Sequence, residues 1–230
     1  MPLIHVIIPA YNEEKSIAQV IKAIPPDLVT EIIVVNNNST DNTAVVAQEA
    51  GATVLFAPEP GYGNACLTGI AYAIKKPLAE RPGIIVFIDG DYSDYPEEMP
   101  LVIKPILENL ADLVIGSRAL GQREKGAMLP QQIFGNWLAT TLLRIFYKTN
   151  YTDLGPFRAI RTEALLKLNM QDRTYGWTVE MQLKAAKNKI RSVEVPVRYR
   201  KRIGFSKISG TVKGTVMAGY KIIATIFRYL

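Results

Sequence analysis

Ile84-Ile85-Val86-Phe87-Ile88 is an unbroken apolar run that stops on Asp89-Gly90-Asp91. A strand with no polar side chain on either face has to be covered on both, as in a parallel sheet flanked by helices. The same demand recurs at Ile4-His5-Val6-Ile7-Ile8, Ile32-Ile33-Val34-Val35, residues 52–56 and Asp112-Leu113-Val114-Ile115-Gly116. Helical signals lie between these runs. Ile17, Val20, Ile21 and Ile24 recur at helical spacing after Asn12, a candidate N-cap, and Pro25-Pro26 closes that helix. Residues 44–50 end at Gly51, Gly61-Tyr62-Gly63-Asn64 opens a helix to about Lys75, and Pro96-Glu97-Glu98 puts acids in the first turn of another, where the macrodipole favours them. This alternation predicts an α/β fold: a Rossmann-like, doubly wound, mostly parallel sheet with helices on both faces and right-handed crossovers.

The pattern changes after about residue 118. Residues 121–126 are charged and glycine-flanked and read as a mobile loop. Residues 133–147 form a long apolar helix, with Trp137 and, later, Trp177 read as core. Asp153-Leu154-Gly155-Pro156-Phe157-Arg158 is irregular, 178–188 a helix, 192–199 a strand, 198–207 a strongly basic loop and 211–230 a terminal helix. The expected organisation is one domain over 1–230: a ligand-binding half (1–118), a second half (119–207) and a C-terminal amphipathic helix (208–230). Hydrophobic and charged contents of 48% and 21% are those of an ordinary globular chain.

Composition and missing motifs exclude several chemistries. One cysteine, Cys66, permits no internal disulfide, and zinc ligation lacks its cysteines and histidines. The only histidine, His5, lies inside a strand, and there is no G-x-S-x-G, so a Cys or Ser nucleophile with a His base is disfavoured. Neither G-x-G-x-x-G after the first strand nor a G-x-x-x-x-G-K-[ST] loop is present. No secretory signal opens the chain and no run of 18 apolar residues appears, which predicts a cytoplasmic protein without a membrane span. Residues 181–230 carry 12 Lys or Arg against one acid, whereas the rest carries 15 against 20. A basic C-terminal region calls for an anionic partner. It has no interleaved aromatic platform, which argues against nucleic acid.

Open parallel sheets bind ligands beyond the carboxyl ends of their strands, so Asp89 and Asp91 fall at the rim of a crevice. Two hard oxygen donors there suit Mg²⁺ or Mn²⁺ carrying a diphosphate.

Several stretches then carry a family resemblance in order along nearly the whole chain. They are Val6-Ile7-Ile8-Pro9-Ala10-Tyr11-Asn12-Glu13, residues 31–35 with Ser39-Thr40-Asp41-Asn42-Thr43, Gly61-Tyr62-Gly63-Asn64-Ala65 and Asp89-Gly90-Asp91. Asp112 to Arg118, Gly155 with Phe157 and Arg158, Tyr175-Gly176-Trp177 with Glu180-Met181, and Glu194-Val195-Pro196-Val197 with Arg202 to Lys207 follow. The chain resembles glycosyltransferase family 2 enzymes of the GT-A fold, and among them the dolichol- and polyprenyl-phosphate sugar synthases. The resemblance implies a metal-dependent transfer, with inversion, of a sugar from a nucleotide-sugar donor to a polyprenyl phosphate. A soluble alcohol or glycan acceptor, and a non-catalytic nucleotide- or lipid-binding role, stay open as alternatives.

The resemblance also implies roles. Pro9, Tyr11, Glu13, Asn37, Asp89 and Arg118 bind the nucleotide sugar. Asp89 and Asp91 hold Mg²⁺ or Mn²⁺, with Asp91 catalytic. Asp153 and Glu180 are candidate bases for an alcohol acceptor, whereas a lipid phosphate is already anionic and needs none. Arg158, Arg202, Ser206 and Lys207 contact phosphate oxygens of donor or acceptor. The C-terminal helix sets Val216, Met217, Ile223 and Phe227 among Lys213, Lys221 and Arg228. Peripheral attachment at the inner membrane face, packing on the protein and homo-oligomer contact are its alternatives. The resembling enzymes carry an acidic pair where this chain has Asn36-Asn37, Gln where it has Ser93, and T-S-G-F where it has Leu154-Gly155-Pro156-Phe157.

Overall fold

The computed structural model describes residues 2–204 and 212–230. Seven strands form one sheet in the order β3-β2-β1-β4-β6-β5-β7. Its centre is built from β1 (Ile4–Ala10) and β4 (Ile84–Phe87), and every residue of both is buried. They pair in parallel with each other, and β2 (Glu31–Asn36) and β3 (Thr53–Phe56) extend the parallel half outward. Alternate residues of each strand feed opposite layers, as the pleat requires. Ile7, Ile33, Val35, Ile85 and Phe87 face α3 (Tyr62–Lys75) and the later helices α5 (Pro130–Tyr147), α6 (Thr162–Leu168) and α7 (Trp177–Lys187). Val6, Ile8, Val34, Val86 and Ile88 face α1 (Ile17–Ala23), α2 (Thr43–Glu49) and α4 (Met99–Leu107). This is the doubly wound α/β architecture expected from the sequence.

The second half departs from expectation. The residues expected as an irregular loop up to Arg158 lead into β6 (Arg158–Arg161), which lies antiparallel between β4 and β5 (Leu113–Ser117). With an arginine at each end and only Ala159-Ile160 between, β6 lacks the apolar run that marks its neighbours. β7 (Ser192–Pro196) is parallel to β5 and stops at Pro196, earlier than expected, because proline supplies no ladder donor. α5 starts at Pro130, a favoured first helical residue, three residues before the apolar period becomes evident. Asn12 is not a cap. It sits at φ 55° in the turn before α1, where its side chain accepts from the Thr40 N–H at 2.8 Å.

Trp177 is fully buried against Phe87, ring centroids 4.7 Å apart, as expected of core. Trp137 is not core: it is 58% exposed on α5 beside Phe134. The C-terminal helix α8 (Val212–Arg228) packs on α5 and α7 through Ile226, and the Tyr147 hydroxyl donates to the Ile226 carbonyl at 2.7 Å. No helix among the described residues is long and apolar enough to cross a membrane.

Candidate active site

Strands β1 and β4 run parallel, so their carboxyl ends deliver Pro9-Ala10-Tyr11 and Asp89-Gly90-Asp91 to the same edge of the sheet. Two cavities open there. The first, of about 410 Å³, is lined by Pro9, Tyr11, Glu13, Asn37, Gly61 and Asp89 among others. The second, of about 290 Å³, lies between α5 and α8 and is lined by Arg118, Leu154, Tyr199 and Ile222 among others. Tyr62, Asp89, Asp91, Tyr175 and Arg202 line both, so the carboxylate pair stands where the two spaces join.

Asp91 is 3% exposed and held on both sides. Its Oδ1 accepts from the Ser93 N–H at 2.9 Å and from the Ser93 hydroxyl, while Oδ2 pairs with the Arg202 guanidinium at 2.7 Å. Arg202 also reaches Glu13 at 3.6 Å. Asp89 accepts from the Tyr62 hydroxyl at 3.0 Å. Burial, and then the neighbouring Asp91 charge, push the Asp89 carboxyl up to about 7, against the opposing pull of Arg202 and Tyr62. The basic strap after β7 is stapled over this edge. The Arg200 N–H donates to the Ser93 carbonyl at 2.9 Å, its side chain donates to the Tyr92 and Asp94 carbonyls, and its guanidinium stacks 3.4 Å over the Tyr92 ring.

The glycines of Gly61-Tyr62-Gly63 have a packing reason. A Cβ on Gly63 would stand 2.0 Å from the Asp172 carbonyl oxygen, and one on Gly61, at φ +138°, 2.2 Å from that of Arg173. Their absence lets the 172–174 loop lie against the start of α3, where the Gly63 and Asn64 N–H groups bond the Thr174 and Arg173 carbonyls. Tyr175 is thereby set across the junction of the cavities.

Other expected site residues lie elsewhere or are already occupied. Asn37 lines the first cavity, but its amide nitrogen donates to the Ala57 and Glu59 carbonyls at 3.1 and 2.7 Å and its oxygen accepts from the Gly61 N–H at 2.7 Å. It ties the end of β2 to the start of α3, and only an amide can do both jobs. Asp153 does not stand as a free base. It is 1% exposed and grips Arg118 through the main-chain N–H, Nε and Nη2 at 2.7, 2.8 and 2.7 Å. Burial works against the Arg118 charge, but Asp153 outweighs it and raises that group well above its ordinary value. Glu180, expected as a candidate base, lines neither cavity. Fully buried, it accepts from the Gln171 and Asp172 N–H groups and the Tyr229 hydroxyl and pairs with Lys184 at 2.7 Å. Arg158 is likewise fully buried and closed to phosphate, its guanidinium bonded to the carbonyls of Leu154, Gly155 and Thr178. Ser206 and Lys207 lie outside the described residues.

Sequence reasoning missed Tyr62, Tyr175 and Tyr199 as lining residues, because an aromatic in a helix start or loop reads as core. Asp94 is 1% exposed, neither of its carboxyl oxygens has a hydrogen-bond partner among the described residues, and burial, then Asp89, push its carboxyl well above the usual carboxylate range.

A doubly wound sheet with paired carboxylates at its ligand edge, where two cavities meet, is the arrangement of a site for a phosphorylated ligand and a second substrate. The chain belongs to glycosyl transferase family 2, whose model matches residues 5–168. It is a nucleotide-sugar-dependent glycosyltransferase of the GT-A fold. An uncharacterized glycosyltransferase of Mycobacterium tuberculosis is 37% identical over 93% of each chain. A UDP-N-acetylglucosamine–dolichyl-phosphate N-acetylglucosaminyltransferase of Methanococcus voltae is 31% identical over 96% of this chain and 93% of its own. Among solved structures, glucosyl-3-phosphoglycerate synthase of M. tuberculosis, crystallised with Mn²⁺, UDP-glucose and phosphoglyceric acid, superposes with a TM-score of 0.77. Its identity is 25%, and the match covers 99% of this chain and 79% of that one.

Proposed function

We propose that the protein transfers a sugar from a nucleoside-diphosphate donor in the first cavity to a polyprenyl phosphate whose head enters the second. The observation that carries this reading is the lining of the second cavity. Its described walls include Met128, Leu154, Pro156 and Ile222, its cations are Arg118 and Arg202, and its only described carboxylates are Asp89 and Asp91 at the junction. An alcohol acceptor needs a carboxylate to take its proton, and Asp153 and Glu180 are both engaged elsewhere. A phosphate acceptor brings an oxygen that is already anionic and meets two guanidinium groups suited to it. The Methanococcus relative named for a dolichyl phosphate acceptor supports the same reading.

Asp89 and Asp91 are the residues to hold a divalent metal, Mg²⁺ or Mn²⁺. Two carboxylates completed by diphosphate oxygens is a set these ions accept. That the Arg202 guanidinium sits on Asp91 Oδ2 indicates that this spot favours a cation. When bound, the ion offsets charge developing on the leaving diphosphate. Tyr62 orients Asp89, Ser93 orients Asp91, and Asp153 fixes the direction of the Arg118 fork.

A soluble phosphorylated acceptor is the second reading, favoured by the phosphoglyceric acid bound to the solved relative. The test incubates the purified chain with labelled UDP- and GDP-sugars, Mn²⁺, and either undecaprenyl phosphate in detergent or phosphoglyceric acid. Label entering the organic phase with the lipid is the expected result. Label entering only the aqueous product assigns the soluble acceptor, and transfer to neither overturns the reading.

A further inference from the structure

Five described residues line both cavities: Tyr62, Asp89, Asp91, Tyr175 and Arg202. Four of them pair off. The Tyr62 hydroxyl donates to Asp89, and the Arg202 guanidinium pairs with Asp91. Tyr175 is the exception. Its side chain is 37% exposed, and its hydroxyl has no hydrogen-bond partner among the described residues. Its backbone, in contrast, is firmly held. Asp172 Oδ1 accepts from the Thr174 N–H at 2.8 Å and from the Gly176 N–H at 3.1 Å, so one carboxylate oxygen fixes the residue on either side of Tyr175. Asp172 Oδ2 pairs with Lys221 of α8 at 3.2 Å. The Thr174 and Arg173 carbonyls accept from the Gly63 and Asn64 N–H groups of α3 at 3.3 and 3.0 Å. A polar aromatic side chain without a partner, on a backbone anchored to two helices, is pre-organised for a group that arrives from outside.

We infer that Tyr175 is a specificity-determining residue that meets the transferred sugar. The inference rests on the placement of donor and acceptor in the two cavities proposed above, and not on the identity of the acceptor. In a nucleoside diphosphate sugar the sugar is joined to the terminal phosphate. With the nucleoside in the first cavity and the diphosphate at Asp89 and Asp91, the sugar falls at the junction, facing the second cavity, and Tyr175 stands there. Glu13 and Asn37 line the first cavity alone and Arg118 the second alone, which leaves them to the nucleotide and to the acceptor. The Tyr175 hydroxyl can donate to and accept from sugar hydroxyls, and its ring offers an apolar face to the C–H groups between them. Epimeric sugars differ in the direction of a single hydroxyl. A tyrosine hydroxyl held in one place bonds that group in one epimer and misses it in the other.

The test compares wild type with Tyr175→Phe, which keeps the ring, and Tyr175→Leu, which removes ring and hydroxyl together. The full chain is given UDP- and GDP-linked glucose, galactose and mannose with Mn²⁺. The readouts are kcat/KM for donor hydrolysis without acceptor and the calorimetric affinity for free UDP and GDP. Wild type is expected to favour one sugar. Tyr175→Phe should lower that preference about tenfold and leave the affinity for the free diphosphate unchanged. Tyr175→Leu should lower kcat/KM for every sugar; should it fail to fold, Tyr175→Phe alone decides. An unchanged sugar preference in Tyr175→Phe, or a wild type that hydrolyses all the sugars alike, overturns the inference. So does an equal loss of affinity for free diphosphate and for nucleotide sugar, which assigns Tyr175 to the nucleotide wall. A Tyr175-dependent preference without transfer to undecaprenyl phosphate leaves the inference standing and removes only the lipid acceptor. A wild type that neither binds nor hydrolyses any nucleotide sugar overturns the donor site itself, and this inference with it.

Discussion

Replacing Asp153 by Asn tests whether this carboxylate is a base or the residue that aims Arg118. The pair is almost dry, with side-chain exposures of 12% for Arg118 and 1% for Asp153. Asn can keep one oxygen near the Arg118 main-chain N–H and Nε, which now share Oδ2. Its amide nitrogen would then face Nη2, donor against donor, where Oδ1 now accepts at 2.7 Å. The guanidinium stays charged and loses its counter-ion, and breaking a buried pair this way costs about 3 kcal/mol or more. For a chain of this length that lowers Tm by roughly 6–12 °C, measurable by differential scanning fluorimetry. A phosphate-bearing acceptor should show a raised KM through the misdirected Arg118, with the pH–rate profile unchanged in shape. An unaltered Tm together with loss of the acid limb of that profile would refute the positioning role and restore Asp153 as the base.

Other outcomes follow from the same geometry. Asn37→Asp sets a carboxylate against the Ala57 and Glu59 carbonyls in place of two donated hydrogen bonds, and should cost about 2–3 kcal/mol in urea unfolding. Tyr229→Phe removes the 2.7 Å bond to Glu180 and should lower stability by about 1–2 kcal/mol while leaving nucleotide binding intact, as calorimetry would check. In metal-free protein the Asp89 carboxyl is raised to about 7, so the folded state holds its proton more tightly than the unfolded chain. That stabilisation is complete below the unfolded carboxyl value of about 4 and is lost as pH rises to about 7. Urea midpoints of Asp89→Asn should therefore improve relative to wild type as pH climbs through this window.

The parallel half was legible because each of its strands is covered on both faces, which leaves Ile84 to Ile88 or Ile4 to Ile8 with little freedom to be anything else. β6 was not legible, since a central strand ending in two arginines breaks the rule that charge stays outside. Its burial depends on Arg158 reaching carbonyls of Leu154, Gly155 and Thr178, and that pairing exists only in three dimensions. Glu180 misled for a related reason. A carboxylate after Tyr175-Gly176 looks chemical in sequence, yet Tyr229 and Lys184 converge on it from positions no local pattern connects. Trp137 was read as buried because α5 carries apolar residues on every side, and sequence does not say which side of such a helix the protein leaves uncovered. The carboxylate pair needed no such help. A strand end in a parallel sheet is a fixed place, so Asp89 and Asp91 could be set at the ligand edge before any coordinates.

The central claim is that this pair, at the meeting of two cavities, serves sugar transfer, and the direct measurement is the transfer rate of Asp91→Asn. Labelled nucleotide sugar, Mn²⁺ and undecaprenyl phosphate are supplied, and circular dichroism confirms that the variant, which retains a polar group for Ser93 and Arg202, is folded. The account predicts lipid-linked label with wild type and a loss of roughly a thousandfold in the variant. Transfer by a folded Asp91→Asn at the wild-type rate would contradict it.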